Sequence, residues 1–196
     1  MTEQTKRSAV FLDRDGTINE QMGYINHLSR FQLLPGAAAA IRLLNEHRIP
    51  VIVVTNQSGL ARGYFSPDLL TRVHEKMESL LAEEGARVDR IYVCPHHPEA
   101  REDQYRLACD CRKPKPGLFV QAAAELGIDL EASFVVGDRW SDLKAAAAIK
   151  ATGILVLTGY GRGDLDYVGK GQQVQPRYIA EDLQAAVQWI IEQSKG

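Results

Sequence analysis

Two aspartates separated by a single residue, Asp13 and Asp15, directly follow a short apolar run (8–12) that is predicted to form a buried strand. Carboxylates this close in the chain repel each other unless a cation or a proton lies between them. One interpretation is a simple turn, because Asp and Gly favour turns. The other is a Mg²⁺ site in which one aspartate is free to attack phosphorus. The pair alone does not decide between these interpretations.

Three further polar clusters share one kind of position, at the end of a predicted strand or just before the next helix. They are Thr55-Asn56, Gly137-Asp138 with Asp142 one helical turn beyond, and the basic segment 112–117. Each cluster alone could be a strand cap, a helix-start acid or a solvated loop. Ligands of open α/β sheets, however, bind at the carboxyl ends of the strands. Four polar clusters at that edge therefore favour a site that handles a phosphoryl group.

Apolar runs alternate with amphipathic stretches along the chain, as in a parallel sheet covered on both faces. The predicted strands are 8–12, 50–54, 88–94, 133–136 and 154–157, and the predicted helices are 36–48, 66–84, 116–126, 141–150 and a last one from Leu183 to Ile191. We expect a three-layer, Rossmann-like α/β sandwich with strand order 3-2-1-4-5. Too little sequence separates the first two strands for a folded cap, so residues 1–196 are predicted to form one capless domain. The glycine-rich segment 158–176 is predicted to be a long mobile loop.

All three cysteines fall between residues 94 and 111, in two pairs with a spacing of two. Residues at i and i+2 of an extended chain point the same way, so each pair can direct two ligands at one ion. Cys94, His96, Cys109 and Cys111 would form a Cys₃His set suited to structural Zn²⁺, which would fix the loop from about 94 to 116. His97 is the competing ligand, and His96 is favoured because its parity matches that of Cys94. The alternative is three buried thiols beside a surface histidine.

The formal net charge of −2 over 196 residues argues against a protein that binds nucleic acid or a membrane surface through charge. No apolar run approaches the roughly 20 residues of a membrane helix, and the polar segment Met1 to Arg7 does not resemble a signal peptide. No nucleotide P-loop motif is present. An odd number of cysteines fits a reducing compartment. We expect a cytoplasmic monomer whose partner is a small molecule.

The four clusters, taken together and in order, resemble the signature motifs of the haloacid dehalogenase (HAD) superfamily of phosphatases, over residues 9–142. The resemblance implies that Asp13 is the nucleophile and Asp15 the general acid and base. It implies that Thr55 and Lys113 hold the transferring oxygens. It also implies that Mg²⁺ is bound by Asp13, the backbone carbonyl of Asp15 and Asp138, while Asp142 orients the metal's waters or Lys113.

Three longer segments narrow the resemblance to one group. These segments are Thr-Asn-Gln-Ser-Gly (55–59), Cys-Pro-His-His-Pro (94–98) and Cys-x-Cys-Arg-Lys-Pro (109–114). They look like the motifs of the phosphatases that remove the 7-phosphate of D-glycero-D-manno-heptose 1,7-bisphosphate. The resemblance implies a place in the biosynthesis of nucleotide-activated heptose and the lipopolysaccharide core. Histidinol-phosphate phosphatases are similar in their catalytic residues and zinc loop, so they and other small-phosphosugar phosphatases remain alternatives. A receiver-like phospho-acceptor domain is the alternative from another class.

The group's pattern implies a substrate-binding flap formed by an insert at about 17–35. Arg112 and Arg139 add positive charge that suits a second phosphate, because arginine matches phosphate geometry. The predicted substrate-binding residues are Gln21, Met22, Gly23, Tyr24, Asn56, Gln57, Ser58, Arg112 and Arg139.

Overall fold

Six strands form one parallel sheet in the computed structural model, which describes residues 6–194. The strands are β1 (Val10–Leu12), β2 (Val51–Asn56), β3 (Arg90–Cys94), β4 (Phe134–Gly137), β5 (Thr152–Val156) and β6 (Tyr178–Ala180), in the order β3-β2-β1-β4-β5-β6. The predicted order of the first five strands is confirmed. The sixth strand was not predicted, because three residues in a polar segment give little periodicity.

Helices cover both faces of this sheet. They are α1 (Ala37–Glu46), α2 (Pro67–Glu83), α3 (Gly117–Leu126), α4 (Trp140–Ala148), the single turn α5 (Gly161–Gly163) and α6 (Leu183–Gln193). Successive strand residues point to opposite faces. Val10 and Leu12 accordingly join the core beneath α1, α2 and α6, whereas Phe11 joins the core beneath α3 and α4. The predicted three-layer α/β sandwich is therefore confirmed.

The ends of the elements follow local signals in the sequence. Ser66 caps α2 by accepting a hydrogen bond from the Leu69 N–H at 3.2 Å, and Pro67 occupies the first helical position. Gly127 ends α3 with a φ of 64°, a conformation that favours glycine. The predicted helices and strands agree with the observed ones to within two or three residues at each end.

The glycine-rich segment 158–176 differs from the prediction of a mobile loop. It contains α5 and a wide helical turn (Asp164–Val168), and Leu165 packs against Trp140 at the start of α4. A side chain at Gly161 would collide with the backbone carbonyl of Val156, so this glycine permits close packing. Asp164 is buried and accepts a hydrogen bond from the Trp140 N–H at 2.7 Å. The prediction of a loop was wrong for residues 161–168, because glycine marks close contact as well as irregular backbone.

The insert between β1 and α1 contains one short helical turn (Leu28–Arg30) and an antiparallel bridge between Asn19 and Leu33. This short excursion agrees with a capless fold. Within residues 6–194, no helix has the length and apolar character needed to cross a membrane. Residues 1–5 of the polar N-terminal segment Met1 to Arg7 lie outside the described residues. Residues 195 and 196 also lie outside them.

Candidate active site

One cavity of about 400 Å³ lies at the carboxyl ends of β1, β2 and β4. Asp13 follows β1, Thr55 lies near the end of β2 and Asp138 follows β4. Lys113 reaches the same cavity from the loop between β3 and α3. The parallel sheet therefore brings the four polar clusters of the sequence to one place, as predicted.

Lys113 is the centre of the charge arrangement. Its ammonium lies 2.9 Å from Asp13 Oδ1 and 2.7 Å from Asp142 Oδ1, and it donates a hydrogen bond to the Val54 carbonyl at 2.7 Å. Although burial opposes the charged form, the two carboxylates raise the pKa of Lys113 above its ordinary value. Lys113 is therefore a fixed cation beside Asp13.

Asp13 is oriented by this cation and by its own backbone environment. The Arg14 N–H donates to Asp13 Oδ1 at 2.8 Å, the same oxygen that Lys113 contacts. Burial raises the pKa of Asp13 to about 6 against the opposing effect of Lys113, and Asp142 and Asp15 add to the rise. A carboxylate with one oxygen held in this way can present its other oxygen to a substrate.

Asp138 is fully buried, and its two oxygens have different environments. Oδ2 accepts a hydrogen bond from the Tyr160 N–H at 2.8 Å. Oδ1 is buried without a hydrogen-bond partner among the described residues. Burial raises the pKa of Asp138 to about 8, and the charges of Asp13 and Asp142 contribute to the rise. Such an oxygen requires either a proton or a cation.

The donor set around Asp138 fits a hard divalent cation. Carboxylate oxygens of Asp13, Asp138 and Asp142 lie within 4.8 Å of one another. Oxygen ligands of this kind are those that Mg²⁺ uses in proteins. Asp142 is also occupied elsewhere, because its Oδ1 contacts Lys113 and its Oδ2 accepts from the Arg139 N–H at 3.1 Å. Because both of its carboxylate oxygens have partners, Asp142 fits its predicted role of orienting Lys113.

The Asp15 side chain lines the cavity and accepts hydrogen bonds from several side-chain donors. Both of its oxygens accept from Arg14 Nη2, at 3.0 and 2.9 Å. Asn19 Nδ2 donates at 3.0 Å and Gln57 Nε2 donates at 2.7 Å. Burial acts to raise the pKa of Asp15, but the Arg14 guanidinium and these hydrogen bonds hold it below its ordinary value. Asp15 is therefore ionised and fixed in direction.

Most of the residues predicted to bind substrate line the cavity. Those that do are Gln21, Gly23, Tyr24, Asn56, Ser58, Arg112 and Arg139. Two are placed differently. Met22 faces an adjacent surface depression and packs against the core. Gln57 Nε2 donates a hydrogen bond to Asp15 Oδ2 and another, of 2.8 Å, to Thr55 Oγ1. In the structure Gln57 therefore contacts Asp15 and Thr55, where the sequence had suggested contact with substrate.

Tyr160 and Ser141 also line the cavity and were not predicted. The Tyr160 ring packs under the Arg139 guanidinium, with 4.5 Å between the ring centroid and Cζ. Arg139 Nε lies 3.7 Å from Asp164 Oδ2 on its other side. Tyr160 belongs to the glycine-rich segment, which carried no recognised motif. Ser141 follows the Gly137-Asp138 pair closely, so its proximity could have been inferred from its position in the first turn of α4.

The predicted zinc ligands converge in the loop between β3 and α3. Side-chain ligand atoms of Cys94, His96, Cys109 and Cys111 all lie within 4.8 Å of one another. His96 Nδ1 is 3.1 Å from Cys111 Sγ, and Cys94 Sγ is 3.0 Å from Cys111 Sγ. His97 is directed elsewhere, with Nε2 3.0 Å from Arg62 Nη2. Three thiols and one imidazole fit a tetrahedral Zn²⁺ site.

Comparisons with known proteins identify relatives of this chain. The family model described as HAD-hydrolase-like matches residues 110–186. The D-glycero-beta-D-manno-heptose-1,7-bisphosphate 7-phosphatase of Photorhabdus laumondii is 47% identical over 152 residues, which are 77% of this chain and 81% of that protein. The enzyme of the same name from Haemophilus influenzae is 45% identical over 166 residues, which are 82% of this chain and 90% of that protein.

A solved structure shares nearly the whole fold. The D,D-heptose 1,7-bisphosphate phosphatase of B. bronchiseptica, crystallised with magnesium and phosphate, is 36% identical, with a TM-score of 0.85 over 95% of this chain and 99% of that one.

Proposed function

The chain belongs to the family of D-glycero-beta-D-manno-heptose-1,7-bisphosphate 7-phosphatases, within the HAD-like hydrolases, and from this we propose that it removes the 7-phosphate of that bisphosphate. The proposal depends most on the position of Asp13. Its carboxylate faces the cavity, and Lys113 holds one of its oxygens at 2.9 Å.

In the first step, the free oxygen of Asp13 attacks phosphorus. The bond between phosphorus and the sugar oxygen breaks, and Asp15 gives its proton to the departing alkoxide. The Asp15 carboxyl is ionised in the free chain, and the negative phosphate that enters the cavity favours its protonation, because like charges raise the pKa of a carboxyl group. General acids placed in this way typically accelerate a step by about 10² to 10⁴.

In the second step, Asp15 takes a proton from a water molecule whose oxygen attacks the phosphorus of the aspartyl-phosphate. The bond to Asp13 breaks, inorganic phosphate leaves and Asp15 is again protonated. Dividing the displacement between a carboxylate and a water replaces one difficult step with two easier ones. Thr55 and Lys113 hold the transferring oxygens in both steps.

Asp13 and Asp138, with the backbone carbonyl of Asp15, would hold a Mg²⁺ ion, which would neutralise phosphate charge and so favour approach of an anionic nucleophile. The structural observation that supports this assignment is the buried, unpartnered Oδ1 of Asp138. Asp142 would keep Lys113 in place through the 2.7 Å contact between them.

Arg112 and Arg139 would bind the phosphate that is not removed. Both line the cavity, and Arg139 is held from two sides by Tyr160 and Asp164. Guanidinium groups match phosphate oxygens in geometry and charge. Gln21, Gly23, Tyr24, Asn56 and Ser58 would complete the sugar site.

A structural Zn²⁺ would be bound by Cys94, His96, Cys109 and Cys111 and would hold the loop that delivers Arg112 and Lys113. These two basic residues directly follow Cys111 in the chain. Zn²⁺ bound to these four residues would limit the movement of the Lys113 ammonium, which faces Asp13.

We place residues 1–196 in one domain that acts as a monomer in the cytoplasm, in the supply of activated heptose for the lipopolysaccharide core. Three thiols that serve as metal ligands fit a reducing compartment.

The test is a comparison of kcat/KM for both anomers of heptose 1,7-bisphosphate and for histidinol phosphate, the substrate of the alternative assignment. We expect at least one bisphosphate anomer to be preferred, because histidinol phosphate offers nothing to Arg112 and Arg139. A preference for histidinol phosphate would contradict the assignment. A stable phosphoprotein without continuous release of phosphate would favour a receiver-like domain.

A further inference from the structure

Arg14 has an almost completely buried side chain, and it lies between the two aspartates of the first motif. Its guanidinium donates through Nη2 to both oxygens of Asp15 and through Nη1 to His74 Nε2, at 3.1 Å. His74 lies in α2, 60 residues further along the chain. Arg14 therefore connects α2 to the side chain that is assigned as the acid and base.

The chemistry of arginine fixes the state of His74. A guanidinium can donate hydrogen bonds but cannot accept them, so His74 Nε2 must be the nitrogen without a proton. The imidazole is then neutral and carries its proton on Nδ1. Burial, together with the adjacent positive charge of Arg14, lowers the pKa of His74 to about 4, which agrees with a neutral ring.

We propose that His74 is a positioning residue for Asp15, acting through Arg14. This inference rests on the proposed role of Asp15 as general acid and base. His74 does not line the cavity, so it acts without contacting the substrate.

The rigidity of α2 makes His74 a suitable anchor. Its neighbours Val73 and Met77 are buried in the main core, which fixes the helix against the sheet. With one guanidinium nitrogen held by this helix, the other is directed at Asp15. A buried donor that loses its acceptor is costly. Without His74, Arg14 would therefore turn toward another acceptor and release its hold on Asp15.

The orientation of Asp15 matters for one part of the reaction in particular. An alkoxide leaves slowly unless an acid protonates it, whereas p-nitrophenolate leaves without help. The parameter kcat/KM covers the steps up to the first irreversible one, which here is transfer to Asp13. A misplaced acid should thus lower kcat/KM for sugar phosphate much more than for p-nitrophenyl phosphate.

The experiment compares His74→Leu with His74→Gln. Leucine keeps much of the bulk but cannot accept a hydrogen bond, whereas the glutamine carbonyl can accept from Arg14 Nη1. For His74→Leu we expect kcat/KM for heptose bisphosphate to fall by about tenfold or more, a part of the general-acid contribution. We expect kcat/KM for p-nitrophenyl phosphate to change less than about threefold, and His74→Gln to regain most of the loss.

Equal losses on both substrates, or a loss that glutamine does not reverse, would overturn the proposal in favour of a purely structural histidine. A second measurement does not depend on turnover. Nitrogen-15 NMR of the wild-type imidazole at pH 7 should show a neutral ring protonated on Nδ1. A ring protonated on Nε2 would overturn the inference. Wild-type protein that fails to hydrolyse any phosphate ester would instead overturn the proposed function and leave this spectroscopic result standing.

Discussion

Asn56 and Lys113 are joined by two reciprocal hydrogen bonds, at the point where the loop between β3 and α3 meets the end of β2. Asn56 Nδ2 donates to the Lys113 carbonyl at 3.2 Å, and the Lys113 N–H donates to Asn56 Oδ1 at 3.1 Å. The amide thus holds the backbone of the residue whose ammonium contacts Asp13. Asn56 was predicted to contact substrate, and the structure shows that it also fixes the position of Lys113.

Replacing Asn56 with alanine should lower kcat by about tenfold, because Lys113 would lose its alignment with Asp13. Asn45→Ala is a matched control. Asn45 forms the same reciprocal pair with the backbone of Arg87, and neither residue lines the cavity. Each variant should lose free energy of unfolding on the order of 0.5–1.5 kcal/mol for each hydrogen bond removed, with Asn45→Ala at the lower end because its bonds are exposed. Equal kcat values for the two variants would show that the bridge has no role in positioning Lys113.

Metal analysis of the two adjacent histidine variants tests the zinc site. The wild-type protein, purified without chelator, should contain about one zinc per chain. His96→Ala should lose this zinc and much of its activity, because Arg112 and Lys113 follow the ligand Cys111 directly. His97→Ala should keep the metal, since its ring contacts Arg62. Zinc retained by His96→Ala and lost by His97→Ala would reverse the ligand assignment.

The affinity for Mg²⁺ should depend on pH in a defined direction. Burial raises the pKa of Asp13 to about 6 and that of Asp138 to about 8, so in the metal-free protein both groups bind protons well above the usual range for aspartate. Mg²⁺ requires their ionised forms and must displace these protons. The dissociation constant measured by calorimetry should therefore fall as the pH rises from 6 to 8. An affinity that stays constant over this range would contradict the assigned ligands.

Tyr160 should influence substrate affinity through Arg139. Tyr160→Ala removes the ring beneath the guanidinium, a contact worth about 0.5–1 kcal/mol at an exposed site, so we expect KM to rise by about two- to fivefold with a smaller change in kcat. Tyr160→Phe keeps the aromatic face and should resemble the wild type. The backbone N–H that contacts Asp138 is present in all three proteins. A loss of kcat without a rise in KM would point to disturbed metal ligands.

The parts of the site that could be predicted from the sequence lie next to recognisable strands. Asp13, Thr55 and Asp138 each lie at or just beyond the end of an apolar run, so the topology of a parallel sheet was sufficient to bring them together. Cys94 was paired correctly with His96, and Cys109 with Cys111, because a spacing of two gives side chains of an extended chain a common direction.

What the sequence could not show depends on contacts between distant segments. The link between Arg14 and His74 spans 60 residues and has no motif. Tyr160 reaches the cavity only because glycines around it allow the segment to pack closely on Gly16 and Asp138. The amide of Gln57 could have faced the substrate or Asp15, and only the folded arrangement of side chains decides between these directions.

In the proposed reaction, Asp13 takes the phosphoryl group from the substrate. The most direct measurement uses Asp15→Asn, which lacks the base for hydrolysis of the intermediate, with p-nitrophenyl phosphate, whose leaving group needs no acid. Acid quenching, proteolysis and mass spectrometry should find one phosphoryl group on Asp13, and Asp13→Asn should be inactive while its melting temperature stays near that of the wild type. A peptide in which Asp13 remains unmodified during turnover, or substantial Mg²⁺-dependent activity in Asp13→Asn, would show that Asp13 is not the nucleophile.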